Sequence, residues 1–400
     1  MALLPVDEAL DRMLDGVRAL GSEEVAIAAA GGRVLASALS AQRTQPPFDA
    51  AAMDGYAVRA ADVAALPARL RLIGVSAAGK RHAGSLGPGE TVRIFTGAPM
   101  PKGADAILIQ ENAEADGDVI EAREGVEPGR HIRRAGLDFE QGDVLLDAGR
   151  VLDPAALSLA GAAGYGRLPV VRRPRIAIIA TGDELVPPGT EPGPDQIVAS
   201  NNLSVAALAR ADGAEIVDLG IVGDDRAAIA GAIQAALGEA ADIIVTLGGA
   251  SVGEHDLVRE VLVGEGMELA FWKIAMRPGK PLMFGRLGGA RVLGFPGNPV
   301  STFVCAHLFL RPLIARFSGR TYLPELRSAI LAQPMKANDH RQDYVRASVI
   351  SGQDGLMASH FDVQDSSMLS TLAAANALII REPGAPASAA GDRCRVLMLR

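Results

Sequence analysis

A short apolar run near the middle of the chain ends abruptly at two adjacent carboxylates. Residues 175–180 read Arg-Ile-Ala-Ile-Ile-Ala, and residues 181–184 read Thr-Gly-Asp-Glu. An apolar run without polar alternation indicates a strand buried on both faces, as in parallel sheets covered by helices. Because ligands of open α/β sheets bind beyond the carboxyl ends of the strands, the loop at 181–184 is a candidate site.

Two further apolar runs end in loops that contain glycine. Residues 242–247 lead into Gly-Gly at 248–249, and residues 291–295 lead into Pro-Gly-Asn-Pro at 296–299. Strands that alternate with helices predict a doubly wound, mostly parallel α/β sheet with right-handed crossovers. The three loops are therefore expected to form one site. The predicted helices are 201–211, Asp224 or Asp225 to 237, 255–263 and 299–317.

The flanking regions differ in texture from this α/β segment. An amphipathic helix is expected over Met1–Leu20, and a second helix is expected to begin at Asp153 because Pro154 follows it. Short apolar runs alternate with turns between about 50 and 140 and again after 322, which indicates β-rich structure. The expected domains are a helical linker segment (1–45), an inserted β-rich module (46–140), a second linker segment (141–173), the α/β domain (174–320) and a C-terminal β domain (321–400).

Composition restricts the class of protein. The chain has 400 residues, 49% of them hydrophobic and 22% charged, which predicts several globular domains. A net charge of −8 argues against a nucleic-acid partner. Cys305 and Cys394 are too few for a disulfide framework, which favours a reducing compartment. With neither a signal peptide nor an apolar run of membrane-spanning length, a cytoplasmic protein without a membrane partner is expected.

Each of the three loops has a functional and a plain structural interpretation. Asp183 and Glu184 could hold Mg²⁺, which prefers hard oxygen ligands, or they could belong to a polar turn. The loop at 248–256 could bring backbone amides to a phosphate, or it could simply connect a strand to a helix. It matches neither the Walker A nor the dinucleotide-binding pattern. The prolines at 296–299 fix a rigid turn before a helix, which suits an anion.

A cationic segment lies between the second and third loops. Lys273, Arg277 and Lys280 fall within eight positions, beside the single tryptophan, in a protein of negative net charge. Such a cluster is usually a solvated face, but prolines and a glycine constrain this one, which favours an anionic ligand. Far upstream, Asp54-Gly55 and the segment 96–101 are by default turns of the β-rich module.

Taken in order, these motifs resemble the MoeA family of molybdopterin molybdenumtransferases, which includes the E domain of gephyrin. The matching motifs cover nearly the full length: Phe48–Ala57, Thr96–Pro101, Thr181–Leu185, Gly248–Gly253, Pro278–Pro281 and Phe295–Ser301. Each motif is short, but their ordered combination is highly specific.

The resemblance implies an elongated homodimer with four domains in each protomer. They are a discontinuous linker domain, the inserted β module, a molybdopterin-binding α/β domain shared with MogA-type adenylyltransferases, and a C-terminal β-barrel. The implied reaction inserts molybdate into adenylylated molybdopterin, forming molybdenum cofactor and releasing AMP, with Mg²⁺ as the assisting cation. The implied protein partners are a MogA-type adenylyltransferase and the apo-proteins of molybdoenzymes.

The resemblance also implies roles for particular residues. Catalytic roles fall on Asp54, Thr96, Asp183, Glu184, Lys273 and Lys280. Metal binding falls on Asp183, Glu184 and Asp256. Substrate binding falls on Gly248, Gly249, Ser251, Asp256, Arg277, Pro296, Gly297, Asn298, Ser301, Arg341 and Ser366. Asp138 and Asp225 match further acidic positions, and Asp54 and Thr96 are expected to reach the α/β domain of the partner protomer.

One departure and three rival functions accompany the resemblance. Members commonly have lysine where Arg277 stands, which changes the oxyanion geometry because a guanidinium is a planar fork. The rivals are a molybdopterin adenylyltransferase, a non-enzymatic scaffold, and an enzyme that inserts tungsten. The additional β-rich regions disfavour the first rival, and the absence of a long linker disfavours the second.

Overall fold

A computed structural model describes residues 3–248 and 257–399 of the protein. The chain divides into two compact units, which are treated separately. One unit comprises Glu24–Gly31 and Leu35–Val170, and the other comprises Met1–Glu23, Gly32–Val34 and Val171–Arg400.

The N-terminal helix is shorter than the sequence pattern predicts. Helix α1 spans Val6–Leu14 and buries Val6, Ala9 and Met13. Met1 and Ala2 lie outside the described residues. The prediction that the helix reaches Leu20 was wrong, because Asp15 leaves the helical conformation and Gly16 adopts a left-handed φ of 67°. Strand β1 (Ser22–Ala26) follows.

The unit of residues 24–31 and 35–170 is rich in β-structure. Its largest sheet has six strands, which lie side by side in the order 106–109, 55–58, 90–94, 68–76, 119–122 and 113–116. This confirms the β-rich structure that the sequence predicts here. Helix α2 (Pro154–Ala162) begins as expected, with the Asp153 carboxylate accepting a hydrogen bond from Ala156 N at 2.8 Å. The strands are β2 (Leu39–Ser40), β3 (Ala50–Ala51), β4 (Gly55–Val58), β5 (Ala68–Ser76), β6 (Glu90–Ile94), β7 (Ala106–Ile109), β8 (Ala113–Asp116), β9 (Val119–Ala122), β10 (Ile132–Arg133), β11 (Val144–Leu146) and β12 (Arg167–Val171).

The other unit contains the α/β domain. Its strands are β13 (Arg175–Thr181), β14 (Leu185–Val186), β15 (Ile197–Val198), β16 (Glu215–Val222), β17 (Ile243–Leu247), β18 (Glu268–Trp272), β19 (Met276–Arg277), β20 (Met283–Leu287) and β21 (Ala290–Phe295). Its helices are α3 (Asn201–Ala211), α4 (Arg226–Gly238), α5 (Leu257–Gly264), α6 (Pro299–Cys305) and α7 (Arg311–Phe317), with a π-helical segment at Ala306–Leu310 between the last two.

Six of these strands form one sheet in the order β16-β13-β17-β21-β20-β18. The first four are parallel, and β20 and β18 are each paired antiparallel to their neighbours, so the predicted doubly wound, mostly parallel sheet is confirmed. The register pairs Ala180 with Leu247 and Leu247 with Phe295, so the three predicted strands end side by side. Apolar clusters cover both faces of the sheet, which explains why these strands lack polar alternation.

Two predicted helical features of this domain are present. The Asp225 carboxylate accepts a hydrogen bond from Ala228 N at 2.9 Å, so Asp225 is the N-cap of α4. The segment Pro299–Phe317 has the length and hydropathy of a membrane-spanning helix, but 78% of it is buried inside the protein. This burial is that of a core helix, and the segment packs against the sheet.

The C-terminal region closes into a barrel. Its elements are β22 (Leu326–Leu331), β23 (Gln342–Gly352), β24 (Gly355–His360), α8 (Leu369–Ala374), β25 (Ala377–Arg381) and β26 (Arg393–Met398). The five strands pair in the order β23-β24-β22-β26-β25, and β25 pairs back to β23. Strand β19 of the α/β domain joins β23 in parallel.

Candidate functional site

The three strand ends line a single cavity of about 390 Å³, here called the strand-end cavity. The sequence prediction of three loops at one site therefore holds for its geometry. The start of α3 also contributes, which the sequence did not indicate. Its lining includes Thr181, Glu184, Asn201, Gly248, Gly297, Asn298 and Ser367.

Backbone approaches closely within this cavity at Gly248. Gly248 has a φ of 95°, and a Cβ atom there would lie 2.5 Å from the Thr181 carbonyl oxygen. A Cβ on Gly297 would lie 3.8 Å from the Gly248 Cα, so the second and third loops are adjacent. Such bare backbone can approach a bulky anion. Gly249, Ser251 and Asp256, which complete the second predicted loop, lie outside the described residues.

The two carboxylates of the first loop have different surroundings. Glu184 lines the strand-end cavity, and its carboxylate accepts no hydrogen bond from residues 3–248 or 257–399. Asp183 instead accepts a hydrogen bond from Asp224 N at 3.0 Å. Within the same described ranges no three acidic, histidine or cysteine side chains form a metal-binding cluster. Asp256, the third predicted metal ligand, is among the residues not described.

Hydrogen bonds fix the third loop. The Thr302 hydroxyl donates to the Pro296 carbonyl at 2.6 Å, and the Asn201 amide donates to the Gly297 carbonyl at 2.6 Å. The Asn298 amide donates to the Ser366 hydroxyl at 2.8 Å. Pro299 takes the first position of α6, as predicted. The loop is thus fastened to two helices and to the C-terminal region.

A second cavity, here called the cationic cavity, lies between residues 276–281 and the C-terminal barrel and measures about 470 Å³. This cavity brings together five residues that were predicted to bind substrate or oxyanion: Arg277, Lys280, Ser301, Arg341 and Ser366. Asp343 and Arg346 also line it, and the sequence did not suggest either residue. Ser366 also receives the hydrogen bond from Asn298, so the two cavities are neighbours.

The cations of this cavity differ in whether nearby carboxylates already neutralise their charge. Arg277 forms ion pairs with Asp343 and, at 3.4 Å, with Asp339. Arg341 contacts Asp339 at 2.6 Å, and hydrogen bonds from Arg341 hold the pKa of the Asp339 carboxyl well below its usual range. The Lys280 ammonium has no hydrogen-bond or ion-pair partner among the described residues. Lys280 is therefore the cation best placed to hold an added anion.

Asp343 is buried beneath Arg277. The residue is 6% exposed, and its Oδ1 atom has no hydrogen-bond partner within the described part of the chain. Burial raises the pKa of this carboxyl, and the Arg277 guanidinium partly opposes the rise.

Lys273 stands apart from the other two predicted cations. It does not line the cationic cavity, and its ammonium lies 3.8 Å from the centre of the Trp272 ring. The Arg259 guanidinium lies 4.1 Å from the same ring. Lys273 also adopts a left-handed φ of 75°. The cations predicted to form one cluster are thus separated: Lys273 contacts the Trp272 ring, whereas Arg277 and Lys280 line the cationic cavity.

Asp54 and Thr96 lie together in the other unit. The Asp54 carboxylate accepts hydrogen bonds from Thr96 N at 2.7 Å and from the Thr96 hydroxyl at 2.8 Å. These two bonds lower the pKa of Asp54, so the carboxylate stays ionised. Asp138 is in the same unit, and its backbone N–H donates to the Gln45 carbonyl at 3.0 Å.

Three family models match the chain in succession. The MoeA N-terminal region (domain I and II) matches residues 4–164, a probable molybdopterin binding domain matches 177–316, and the MoeA C-terminal region (domain IV) matches 328–399.

Similar proteins extend over the whole chain. Molybdopterin molybdenumtransferase 2 of Mycobacterium tuberculosis is 37% identical over 95% of this chain and 96% of its own length. Molybdopterin molybdenumtransferase of Haemophilus influenzae is 35% identical over 95% of both chains. The crystal structure of the molybdopterin biosynthesis MoeA protein of Pyrococcus horikoshii superposes with a TM-score of 0.86 at 30% identity, covering 100% of both chains. The chain therefore belongs to the MoeA family.

Proposed function

We propose that this protein is a molybdopterin molybdenumtransferase, which inserts molybdate into adenylylated molybdopterin to form molybdenum cofactor and releases AMP. The observation that carries the proposal is the adjacency of two unlike cavities. One is formed by glycine-bearing strand ends, and the other contains an ammonium with no partner among the described residues. Whole-length similarity to proteins named molybdopterin molybdenumtransferase supports the same reaction class.

The strand-end cavity suits the pterin and its phosphates. Gly248 and Gly297 leave backbone uncovered, and the cavity lies at the carboxyl edge of a parallel sheet, where α/β proteins bind phosphorylated ligands. The predicted phosphate-binding residues are Gly248, Gly249, Ser251, Pro296, Gly297 and Asn298. These residues would orient the ligand so that its sulfur atoms point toward the neighbouring cavity.

The cationic cavity suits molybdate, a tetrahedral dianion. Lys280 supplies a charge that no described carboxylate neutralises, and the hydroxyls of Ser301 and Ser366 supply neutral donors. Arg341 adds a guanidinium whose charge is shared with Asp339. A local cationic site is needed because the net charge of −8 otherwise repels the dianion. The sulfur ligands of molybdenum belong to the pterin, so neither cysteine of this chain needs a ligand role.

We assign a Mg²⁺ ion to the carboxylates of the first loop, because Mg²⁺ prefers hard oxygen ligands. Its hard oxygen ligands would come from Glu184, which faces the cavity without a hydrogen-bond partner among described residues, and from Asp183 and Asp256. When bound, the ion would neutralise phosphate oxygens and make the phosphoanhydride easier to cleave. Glu184 would position the adenylate phosphate, and the glycine loop would hold the other phosphate.

The remaining expectations belong to the same proposal. The protein works in the cytoplasm as a homodimer, receives its substrate from a MogA-type adenylyltransferase and passes the product to apo-molybdoenzymes. Asp54 and Thr96 complete the site of the partner protomer. The domain bounds 1–45, 46–140, 141–173, 174–320 and 321–400 stay predictions.

The primary test is a reconstitution with adenylylated molybdopterin, molybdate and Mg²⁺, in which AMP release and bound molybdenum are both measured. Both should depend on the protein, and AMP release should fall when Mg²⁺ is chelated. Glu184→Gln should abolish both signals, whereas Glu191→Gln, a change of an exposed acid between β14 and β15, should leave them unchanged. Protein-independent AMP release would overturn the proposal, and full activity of Glu184→Gln would overturn the assignment of the metal site.

The same assay separates the rivals and tests the shared site. ATP-dependent adenylylation of metal-free molybdopterin would identify an adenylyltransferase, and competition between molybdate and tungstate would identify the preferred oxyanion.

Mixing inactive Asp54→Asn with inactive Glu184→Gln protomers should restore activity, because one site of each heterodimer would then be intact. A mixture that exchanges subunits but stays inactive would contradict a site built from two protomers.

A further inference from the structure

A charged side chain is fully buried in the barrel directly beneath the cationic cavity. Arg346, on β23, is 1% exposed. Its guanidinium donates to the Gln364 side-chain oxygen at 3.3 Å, to the Asp365 carbonyl at 2.9 Å and to the Met368 carbonyl at 3.2 Å. A single side chain therefore donates hydrogen bonds to three acceptors within residues 364–368.

Barrel stability alone does not account for this cation. No carboxylate forms an ion pair with Arg346 among the residues that the structure describes. Burial lowers the pKa of its guanidinium, and the nearby Asp365 charge opposes this lowering only in part. A buried charge without a counter-ion is costly, and an apolar side chain of similar volume is often as stable or more so. The guanidinium is instead suited to holding several oxygens in a fixed plane.

The segment that Arg346 holds separates the two cavities. We call residues 364–367 the shared wall, because Ser366 lines the cationic cavity and Ser367 lines the strand-end cavity. Most of the wall is exposed, so it has little apolar burial to keep it in place. At the start of α6, Asn298 donates to the Ser366 hydroxyl at 2.8 Å and Val300 N donates to the Ser366 carbonyl at 3.0 Å. The Gln364 side chain also bonds the backbone N–H and carbonyl of residue 346, each at 3.0 Å.

We propose that Arg346 is a positioning residue, which fixes the shared wall and thereby sets the distance between the oxyanion and the pterin in the two neighbouring cavities. This inference rests on the proposed function. Arg346 lies at the edge of the cationic cavity, but three of its guanidinium N–H groups are directed to Gln364, Asp365 and Met368, away from a ligand. Ser366 is then the contact through which displacement of the wall reaches both cavities.

The test compares Arg346→Met with a matched variant, Arg381→Met. Arg381 also lies on a barrel strand and also donates to uncharged oxygens, the Ser388 hydroxyl at 2.6 Å and the Lys336 carbonyl at 3.1 Å, but it lines neither cavity. Arg346→Met should raise the molybdate KM and the Kd of molybdate for the protein about tenfold, which corresponds to about 1.4 kcal/mol. It should also lower kcat, and Arg346→Lys should restore part of each loss. Arg381→Met should leave these constants unchanged.

Two outcomes overturn the inference. If Arg346→Met lowers Tm but leaves kcat, KM and Kd unchanged, as is expected of Arg381→Met, the arginine is purely structural. If Arg346→Met does not fold, Gln364→Ala replaces it, because this change removes the wall side chain that bonds both the guanidinium and the backbone of Arg346 and keeps the charge. An unchanged Kd for molybdate in Gln364→Ala then contradicts the positioning role. Failure of the wild-type protein to bind molybdate would instead overturn the proposed function, so the two failures are distinguishable.

Discussion

Arg277 and Asp343 are partners in two senses, because they are paired residues of β19 and β23 and their side chains form an ion pair. The pair joins the constrained segment at 276–281 to the barrel. Arg277 is thus largely occupied in holding the cationic cavity together. A lysine at this position would offer a point charge in place of the fork that spans Asp339 and Asp343.

Removing this arginine should destabilise the barrel in a pH-dependent way. Arg277→Met leaves the Asp343 carboxylate buried without its cation, and we expect a loss of about 2 kcal/mol at neutral pH. Burial already raises the pKa of Asp343. The burial penalty is therefore absent below the unfolded pKa and develops as pH rises through the folded pKa. Thermal unfolding at pH 4 and pH 7 should show the larger loss at pH 7.

The control for this prediction is a double variant. Adding Asp343→Asn to Arg277→Met removes the buried charge and should recover part of the lost Tm at pH 7. If the loss of unfolding free energy in the double variant equals the sum of the losses in the two single variants, the ion pair does not couple the two residues.

The two lysines of the cationic segment should behave differently. Lys280 lines the cationic cavity without a described partner, whereas Lys273 stacks on Trp272. Lys280→Gln should raise the molybdate KM tenfold or more, by the loss of about 1.4 kcal/mol or more of charge attraction. Lys273→Gln should change the molybdate KM much less. Steady-state kinetics at varied molybdate measures both, and equal effects would place Lys273 in the oxyanion site after all.

The sequence was a reliable guide where the signal is local. Apolar runs predicted β13, β17 and β21 because both faces of each strand are buried, and Asp153 and Asp225 were identifiable as helix caps from their positions. It was unreliable where partners are distant in the chain. The spacing of the cations could not reveal that Lys273 lies on the ring of Trp272 while Arg277 pairs with Asp343, because both contacts depend on tertiary packing.

Arg346 shows the same limit in another form. Arginine is rarely fully buried, so a sequence pattern predicts that an arginine in a strand is exposed. Only the folded barrel reveals that Arg346 is buried beneath the shared wall. The prediction for the N-terminal helix was wrong because it made the helix too long. Its amphipathic pattern continues past Leu14, but the left-handed Gly16 ends the helix.

Gly248 should tolerate no side chain. Its φ of 95° opposes alanine, and so does the Thr181 carbonyl oxygen, which a Cβ atom would approach to 2.5 Å. We expect Gly248→Ala to lower the unfolding free energy by about 1 kcal/mol or more and to weaken pterin binding. The matched control is Gly231→Ala in α4, where a Cβ meets nothing within 4 Å. Helix propensity should make that variant neutral or slightly more stable, so a similar loss in both variants, measured as Tm, would contradict the steric argument.

The Thr96 hydroxyl should help to keep Asp54 ionised. Thr96→Val removes the 2.8 Å bond from the hydroxyl and keeps the 2.7 Å bond from the backbone, so the pKa of Asp54 should rise toward its ordinary value without reaching it. The stabilisation from these bonds is present above the unfolded pKa and is lost as pH falls through the lowered folded pKa. Carboxyl ¹³C NMR titration measures the shift. Thr91→Val, which removes a bond to the Ala57 carbonyl in the same sheet, should leave the Asp54 titration unchanged.

His307 should make the protein sensitive to mild acid. It lies in the π-helical segment, where its ring packs against Phe303 with centroids 4.5 Å apart and its Nδ1 lies 3.4 Å from the Arg311 guanidinium. Burial, assisted by the Arg311 charge, lowers the pKa of His307 to about 3. Protonation would remove the acceptor that Arg311 contacts and bring two positive charges together.

The sign of the effect follows from proton linkage. Between the ordinary pKa of 6.5 and the folded value of about 3, the unfolded chain binds a proton at His307 and the folded protein does not. Stability should therefore fall as pH drops through this window, by up to about 1.4 kcal/mol per pH unit from this group. His307→Gln should flatten the dependence of Tm on pH between 6.5 and 4, whereas His360→Gln, a partly exposed histidine of the barrel, should retain it. An equally steep pH dependence in His307→Gln would show that other groups cause the acid sensitivity.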